Sequence, residues 1–118
     1  MDAAQLEGTS WDIVEIDGEP VLEASSPTLE FLPEGQLAGR ATINRLMGRY
    51  EVADGALVLG PIATTMMAGP EDLMAQERRV LDALQRELRL EAGAGDDELL
   101  LVSDAGTTRL VRAAAAED

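Results

Sequence analysis

The sequence predicts an α+β domain in which antiparallel β-hairpins surround a single amphipathic helix. Two patterns predict it. Acidic residues followed by glycine recur between stretches rich in apolar and β-branched residues, and one segment alone has helical spacing. The length of 118 residues is typical of one domain, and no linker or internal repeat divides the chain. We therefore assign residues 1–118 to a single domain.

The hairpins are predicted from their turns, because glycine supplies the positive φ that a tight hairpin turn needs. The turn signals are Asp17-Gly18, Glu34-Gly35, Asp54-Gly55 and Asp104-Ala105-Gly106. The flanking strands are expected at Trp11 to Ile16 with an irregular step at Val14, at Leu29 and Phe31 with Leu37, at Tyr50 and Val52 facing Leu57 and Leu59, and at Leu99 to Val102 with Thr107 to Val111.

The helix is predicted at about residues 70–86, where apolar residues recur three and four apart. Pro70 suits the first helical position, and the acids that follow it favour the positive end of the helix dipole. Residues 87–92 alternate between apolar and charged and predict a strand. The tail at 113–118 has nothing to pack against in this scheme, and we expect it to be flexible.

Composition excludes several functions. The chain has 23 acidic and 9 basic residues, a net charge of −14, and such a field repels nucleic acid and anionic lipid surfaces. Cysteine and histidine are both absent, which removes thiol chemistry and the commonest general base and metal ligand. No serine lies in a nucleophile elbow. We therefore expect no enzyme activity, no catalytic residue, no metal site and no cofactor.

Neither a signal peptide nor a membrane helix is predicted. The N-terminus lacks a basic start and an apolar core, and no segment approaches the ~20 apolar residues that a membrane helix needs. As it stands, the chain is expected to be soluble and not exported.

Two segments are candidate sites. Arg40, Arg45 and Arg49, with Asn44 between them, form a basic stretch without acids, suited to recognising carboxylates or phosphates. The alternatives are that the arginines pair with the protein's own carboxylates and that Asn44 only holds a turn. Met66 and Met67, with Leu73, are a candidate apolar pocket, and the alternative is that the methionines fill the core.

These segments also carry a family resemblance. Leu6 to Trp11 resembles the L-x-G-T-x-W opening of the META domain, the family of the heat-shock protein HslJ. Residues 39–50 are similar to its G-x-x-G-C-N-x-x-x-G-x-Y loop, and residues 65–77 to its T-x-M-A-C-P pattern with a later Met and Glu. The motif positions kept here are Gly8, Thr9, Trp11, Gly39, Asn44, Gly48, Tyr50, Thr65, Met67, Ala68, Pro70 and Glu77.

The chain departs from the family pattern at its cysteines. Ile43 and Gly69 stand where the family usually has Cys, so no thiol role of relatives operates here. The resemblance implies a curved, partly open barrel-like sheet packed with the helix. It also implies a bacterial envelope or secreted protein if a signal was removed from a precursor, and a cytoplasmic one otherwise.

Two functions remain in view. The resemblance and the missing catalytic residues favour a non-enzymatic accessory in stress or envelope processes that acts through contacts with a protein partner. The alternative is a protein that binds a small hydrophobic ligand or lipid in a cavity between sheet and helix.

Overall fold

Eight antiparallel strands form the body of the protein in the computed structural model, which describes residues 3–23, 25–93, 95 and 97–113. The order around the barrel is β1, β3, β4, β5, β6, β8, β9 and β10, while β2 and β7 are short additions to β1 and β5. The elements are α1 (Ala3–Leu6), β1 (Thr9–Ile16), β2 (Glu19–Pro20), β3 (Thr28–Leu32), β4 (Gln36–Arg40), β5 (Arg45–Ala53), β6 (Ala56–Leu59), β7 (Ala63–Thr64), α2 (Glu71–Leu84), β8 (Leu88–Ala92), β9 (Glu98–Ser103) and β10 (Gly106–Arg112).

The barrel is closed, so the expectation of a partly open sheet was wrong. Closure comes from β1, which pairs with β3 on one edge and with β10 on the other, from Trp11 opposite Arg112 to Ile16 opposite Thr108. In the pairing with β10 the register shifts between Ile13 and Glu15, at the irregular step predicted from the sequence. Such a bulge bends a strand and increases its local twist.

The predicted hairpins are confirmed. Asp17, Glu34 and Asp54 have φ of 54°, 65° and 53°, and the glycine after each also has a positive φ. This is the backbone that suits the right-handed twist of the flanking strands. In the third hairpin Tyr50 lies opposite Leu59, as predicted.

The interior of the barrel is filled by apolar side chains. Trp11 and Phe31 are fully buried. The ring of Phe31 packs edge to face against the ring of Tyr50, with the ring centroids 5.0 Å apart. Other fully buried side chains are Leu6, Ile13, Ile16, Leu29, Leu37, Leu46, Leu84, Leu99, Leu101 and Leu110. Each such side chain stabilises the fold by about 1.5–3 kcal/mol relative to exposure.

Helix α2 lies across the end of the barrel at which β4 passes into β5. It begins one residue later and ends two residues earlier than predicted, because Pro70 has an extended ψ of 146° and Gln85 closes a tighter turn onto Asp82. Val80 and Leu84 face the core, as the periodicity predicts. Strand β8 begins at Leu88, close to the predicted 87.

The helix is tied to the barrel at its far end by an ion pair. Arg86 donates from Nη1 and Nη2 to the two carboxylate oxygens of Asp17, at 2.8 and 2.9 Å, and from Nη2 to Asp82 at 3.1 Å. The hydrogen bonds from Arg86 hold the pKa of Asp17 below its ordinary value. The turn between β1 and β2 is thereby fixed to the end of the helix.

None of the helices in the described ranges is long and apolar enough to cross a membrane. The tail predicted to be flexible begins at Ala113, which donates its backbone N–H to the Ser10 carbonyl at 2.9 Å. The rest of that tail, residues 114–118, lies outside the described residues.

Changing Gly39 to alanine tests the packing of β3 against β4. A Cβ at Gly39 would overlap the backbone carbonyl oxygen of Thr28 and lie 3.2 Å from the Cα of Leu29, so backbone rather than a flexible side chain must move. We expect Gly39→Ala to lower the free energy of unfolding by about 1–3 kcal/mol, measured by urea denaturation. Gly60→Ala is the control, because the nearest atom to its Cβ is 4.0 Å away. Equal stability of the two variants would contradict this packing.

Candidate contact surface

A buried carboxylate on α2 holds the loop between β4 and β5, residues 41–44. Glu77 of α2 is 5% exposed, and its Oε1 accepts hydrogen bonds from the backbone N–H groups of Ile43 (2.8 Å) and Asn44 (2.7 Å). Its Oε2 accepts a bond from Asn44 Nδ2 at 2.7 Å. Burial alone would raise the pKa of Glu77, but the hydrogen bonds from Asn44 and Ile43 outweigh it and hold the pKa below its ordinary value.

The Asn44 side chain joins this loop to the segment that precedes α2. Its Nδ2 also donates to the Met67 carbonyl at 3.0 Å, and its Oδ1 accepts from the Met67 N–H (2.6 Å) and the Thr65 hydroxyl (2.9 Å). The Thr65 hydroxyl in turn accepts the N–H of Arg45 at 3.0 Å. All the hydrogen-bonding capacity of the amide is used. Because Asn44 is 3% exposed, it lies beneath the contact surface and is not part of it.

A neighbouring helix residue, Gln76, has a similar role and was missed from the sequence. Its Oε1 accepts the N–H of Leu22 at 2.7 Å, and its Nε2 donates to Ser25 (2.8 Å) and Thr42 (3.1 Å). Gln76 and Glu77 both lie on the inner face of α2, among the apolar positions of its stripe. Glu77 was already a motif position, and a polar residue beside it within that stripe was the signal that could have found Gln76.

The three predicted arginines lie together on the outside of the barrel. Arg45 and Arg49 are exposed residues of β5, Met47 lies between them, and Arg40 of β4 is directly opposite Arg45. Met47 is 58% exposed and was not singled out from the sequence, although it alternates with the two arginines at the strand period. We call Arg40, Arg45, Met47 and Arg49 the arginine surface.

The arginine surface takes no part in the ion pairs found among the described residues. Those ion pairs join Arg79 to Glu19, Arg86 to Asp17 and Asp82, Arg109 to Glu15 and Glu98, and Arg112 to Asp97. None of them involves Arg40, Arg45 or Arg49. Arg49 donates Nη2 to the Glu34 carbonyl at 2.9 Å, which orients the guanidinium.

A shallow groove runs beside these arginines. Its volume is about 500 Å³, and residues of β3, β4, β5 and the segment before α2 line it: Thr28, Glu30, Ala38, Gly39, Arg40, Arg45, Leu46, Met47 and Thr65. The groove therefore combines two cations, one acid and small or apolar side chains.

The predicted apolar pocket of Met66, Met67 and Leu73 is not formed. Met66 is 91% and Met67 55% exposed, so these methionines neither line a pocket nor fill the core, and Leu73 is half-buried on α2. The physical reason is the amide of Asn44, which holds the segment by the backbone of Met67 and leaves the side chains outside.

A larger cleft opens where β6 meets β8. Only Ala56 and Leu57 of β6 pair with β8. Among the described residues, Val58 and Leu59 therefore have no strand beside them on the β8 side, and Val58 is 52% exposed. The cleft has a volume of about 780 Å³, and its lining is Ala56, Leu57, Val58, Leu59, Gln85, Arg86, Glu87, Leu88, Arg89, Ser103, Asp104 and Ala105.

Most of the remaining motif residues make local contacts within the barrel. The Thr9 hydroxyl donates to the Leu6 carbonyl at 2.6 Å and accepts from Trp11 Nε1 at 2.8 Å, while Gly8 before it has a φ of 84°. A Cβ at Gly48 would lie 3.1 Å from the carbonyl oxygen of Pro61. The Tyr50 hydroxyl donates to Leu32 at 3.1 Å. Pro70 precedes the first turn of α2, and Ala68 is exposed beside it.

The two positions that carry cysteine in the family pattern lie in contact. A Cβ at Gly69 would lie 2.8 Å from Cδ1 and 3.2 Å from Cγ1 of Ile43. The isoleucine side chain therefore occupies the space that a side chain at position 69 would need, and the two residues act as a matched pair.

In the described part of the chain, no group of three or more Asp or Glu side chains is placed to hold a metal ion. The carboxyl groups of Asp17 and Glu77 both have a pKa below the ordinary value, because each accepts hydrogen bonds that stabilise its charged form. What the arginine surface offers chemically is recognition by charge and apolar contact.

Comparisons with known proteins identify the family. The model of the META domain matches residues 4–117. This chain belongs to the META domain family. No curated protein sequence matches it. Among solved structures, a protein structure determined by NMR is 20% identical over 94% of each chain with a TM-score of 0.75. The NMR structure of a protein from Burkholderia xenovorans is 26% identical over 94% of this chain and 86% of that one, with a TM-score of 0.73.

Glu77→Gln tests the buried carboxylate of this META domain. Gln replaces one acceptor oxygen by a donor that faces other donors, so we expect the free energy of unfolding at pH 7 to fall by about 1–3 kcal/mol. The folded pKa lies below the ordinary 4.5, so the carboxylate's contribution is complete above that pH and is lost as the pH falls through the folded pKa.

Urea denaturation from pH 7 down to pH 3 should therefore show the stabilities of the wild type and Glu77→Gln converging. The control is Glu51→Gln, since Glu51 is exposed on β5. A constant difference across this pH range would contradict the role of the charge.

The pair of Ile43 and Gly69 is tested by a double-mutant cycle. Gly69→Ala should destabilise the wild type, because its Cβ meets Ile43 Cδ1, and should cost less in Ile43→Val, which lacks that atom. We expect a coupling energy of about 0.5 kcal/mol or more from thermal or urea unfolding. Additive effects of the two changes would show that the residues do not share the space.

Proposed function

We propose that this META domain protein is a non-enzymatic accessory of a stress or envelope process, and that it acts by binding another protein through the arginine surface. One observation carries the proposal. Arg40 and Arg45 lie directly opposite each other without an acidic partner in the described residues, in a chain of net charge −14.

Like charges on facing residues of neighbouring strands are unfavourable. An acidic residue beside Arg40 or Arg45 would reduce the repulsion between the two guanidinium groups. The chain has 23 acids, several of which neutralise other arginines, so a lack of acids does not explain the pair. An external anion that binds both guanidinium groups would explain it. A cationic patch on an acidic protein would also orient a partner during approach.

Exposed methionines support a protein as that partner. Met47 lies within the arginine surface, and Met66 and Met67 follow Thr65, which lines the same groove. Methionine is flexible and polarisable, and it is frequent at surfaces that bind other proteins. The bonds of Asn44 to Glu77, Thr65 and Met67 hold the β4–β5 loop and the segment before α2 in a fixed relation. This lowers the conformational entropy that these segments lose when a partner binds.

A second candidate function is binding of a small apolar ligand. The cleft of about 780 Å³ at the start of β8 favours it, since Leu57, Leu59 and Leu88 line it. This cleft is separate from the arginine surface and does not include the methionines first considered for a pocket.

Photo-crosslinking in cells of the source organism separates these functions. A benzophenone amino acid at Met47 should form an adduct with a protein, which mass spectrometry identifies, because Met47 lies at the centre of the arginine surface. The adduct should be lost on changing Arg40 and Arg45 together to Gln. When the crosslinking is repeated in an extract of the same cells, added salt should reduce the yield of the adduct. Arg78→Gln is the matched control, since Arg78 is an exposed arginine of α2.

The same benzophenone group at Val58 reports on the cleft. A small-molecule adduct at Val58, with no protein adduct at Met47, would favour the ligand function and contradict the contact function. A Met47 adduct that survives the change of both arginines would also contradict it.

A further inference from the structure

The outer face of β5 presents a cation, an apolar side chain and a second cation in a row. Arg45, Met47 and Arg49 are exposed, while the residues between them face inward or are half-buried. Two residues of a strand span about 7 Å, so the Cα atoms of Arg45 and Arg49 are about 13 Å apart with Met47 midway. The next outward residue is Glu51, which ends the cationic run.

The neighbouring strands place small side chains beside the middle of this row. Met47 lies opposite Ala38 of β4 on one side and Ala63 of β7 on the other. These small side chains leave Met47 exposed as an apolar contact at the centre of the row. Arg40 doubles the positive charge beside Arg45 at one end. At the other end Arg49 lies opposite Gln36 and is oriented by its bond to the Glu34 carbonyl.

An extended peptide has the same repeat, because alternate side chains project from one face about 7 Å apart. From this match we infer that the arginine surface binds an extended acidic segment of its partner, with acids at positions i and i+4 and an apolar residue at i+2. The acids meet Arg45 with Arg40, and Arg49, while the apolar residue packs on Met47. This inference rests on the proposed function and names the chemistry of the partner.

Glu30 adds selectivity to the central position. It lies on β3 in the same row as Ala38 and Met47, about 10 Å from Met47 at the usual strand spacing. A carboxylate placed over Met47 would approach Glu30 and would lose apolar contact. The surface therefore favours an apolar residue over an acid at i+2.

The backbone of Arg45 is held in place by the barrel and by the segment before α2. Its backbone N–H donates to the Thr65 hydroxyl, its carbonyl accepts the Thr65 N–H at 3.1 Å, and Thr65 is held by Asn44. The spacing of the row is thus a property of the folded barrel, which makes register the quantity to test.

Two blocked peptides of identical composition test the register. Acetyl-Gly-Ser-Glu-Thr-Val-Thr-Glu-Ser-Gly-amide has acids at i and i+4, and acetyl-Gly-Ser-Thr-Glu-Val-Glu-Thr-Ser-Gly-amide has them on the opposite face from valine. Calorimetric titration into the full chain should give at least about tenfold tighter binding of the first peptide, equal to about 1.4 kcal/mol. Arg45→Gln, Arg49→Gln and Met47→Ala should each abolish this preference, and Arg78→Gln should preserve it.

Circular dichroism of each variant establishes that it is folded before binding is compared. Equal binding of the two peptides would overturn the inference, and so would displacement of the first peptide by an equal concentration of inorganic phosphate, which would indicate a simple anion site. If the Met47 adduct requires Arg40 and Arg45 while neither peptide binds, the proposed function stands and this inference fails. In-register binding without a cellular adduct supports the inference and contradicts the proposed function.

Discussion

The bonds between Glu77 and the β4–β5 loop are the interaction on which the other features of this META domain depend. A buried carboxylate is stable only when donors replace its water, and the loop supplies two backbone N–H groups and the Asn44 amide. The loop in turn gains acceptors for N–H groups that a hairpin of this length leaves unpaired. Helix α2, the loop and the segment before the helix are therefore positioned together, and the exposed residues they carry are positioned with them.

Some arginines pair with acids of the protein itself. Arg79 of α2, Arg86 just after α2, and Arg109 of β10 pair with acids from other elements, and those pairs join the helix to the β1–β2 turn and β10 to its neighbours. Arg112 also lies over the ring of Trp11, 4.6 Å from its centroid, where β1 meets β10. In the part of the chain that the structure describes, the arginines of β4 and β5 do not take part in this internal pairing. Their charge lies on a stretch of the chain, residues 35–50, that contains no acidic residue.

Local chemistry made most of the strands predictable and left the closure unpredictable. Asp-Gly turns fix backbone angles within two residues, so the hairpins and the pairing of Tyr50 with Leu59 could be read directly. The pairing of β1 with β10 joins distant parts of the chain, and only the bulge near Val14 hinted at it. The exposure of Met66 and Met67 was unpredictable for the same reason, since the bond that holds their segment comes from Asn44, 23 residues away.

Strand alternation links stability to the surface in β5. Leu46 and Tyr50 build the core while Arg45, Met47 and Arg49 build the exterior, so a shift of one residue would exchange the two sets. The register that prevents this shift places Arg40 opposite Arg45, on either side of the loop that Glu77 holds. Weakening that carboxylate should disturb the β4–β5 loop, and with it the end of the arginine surface at Arg40 and Arg45, before it disturbs the rest of the barrel, because eight paired strands hold the barrel and only these few bonds hold the loop. The buried motif residues are thus positioning residues for the exposed ones.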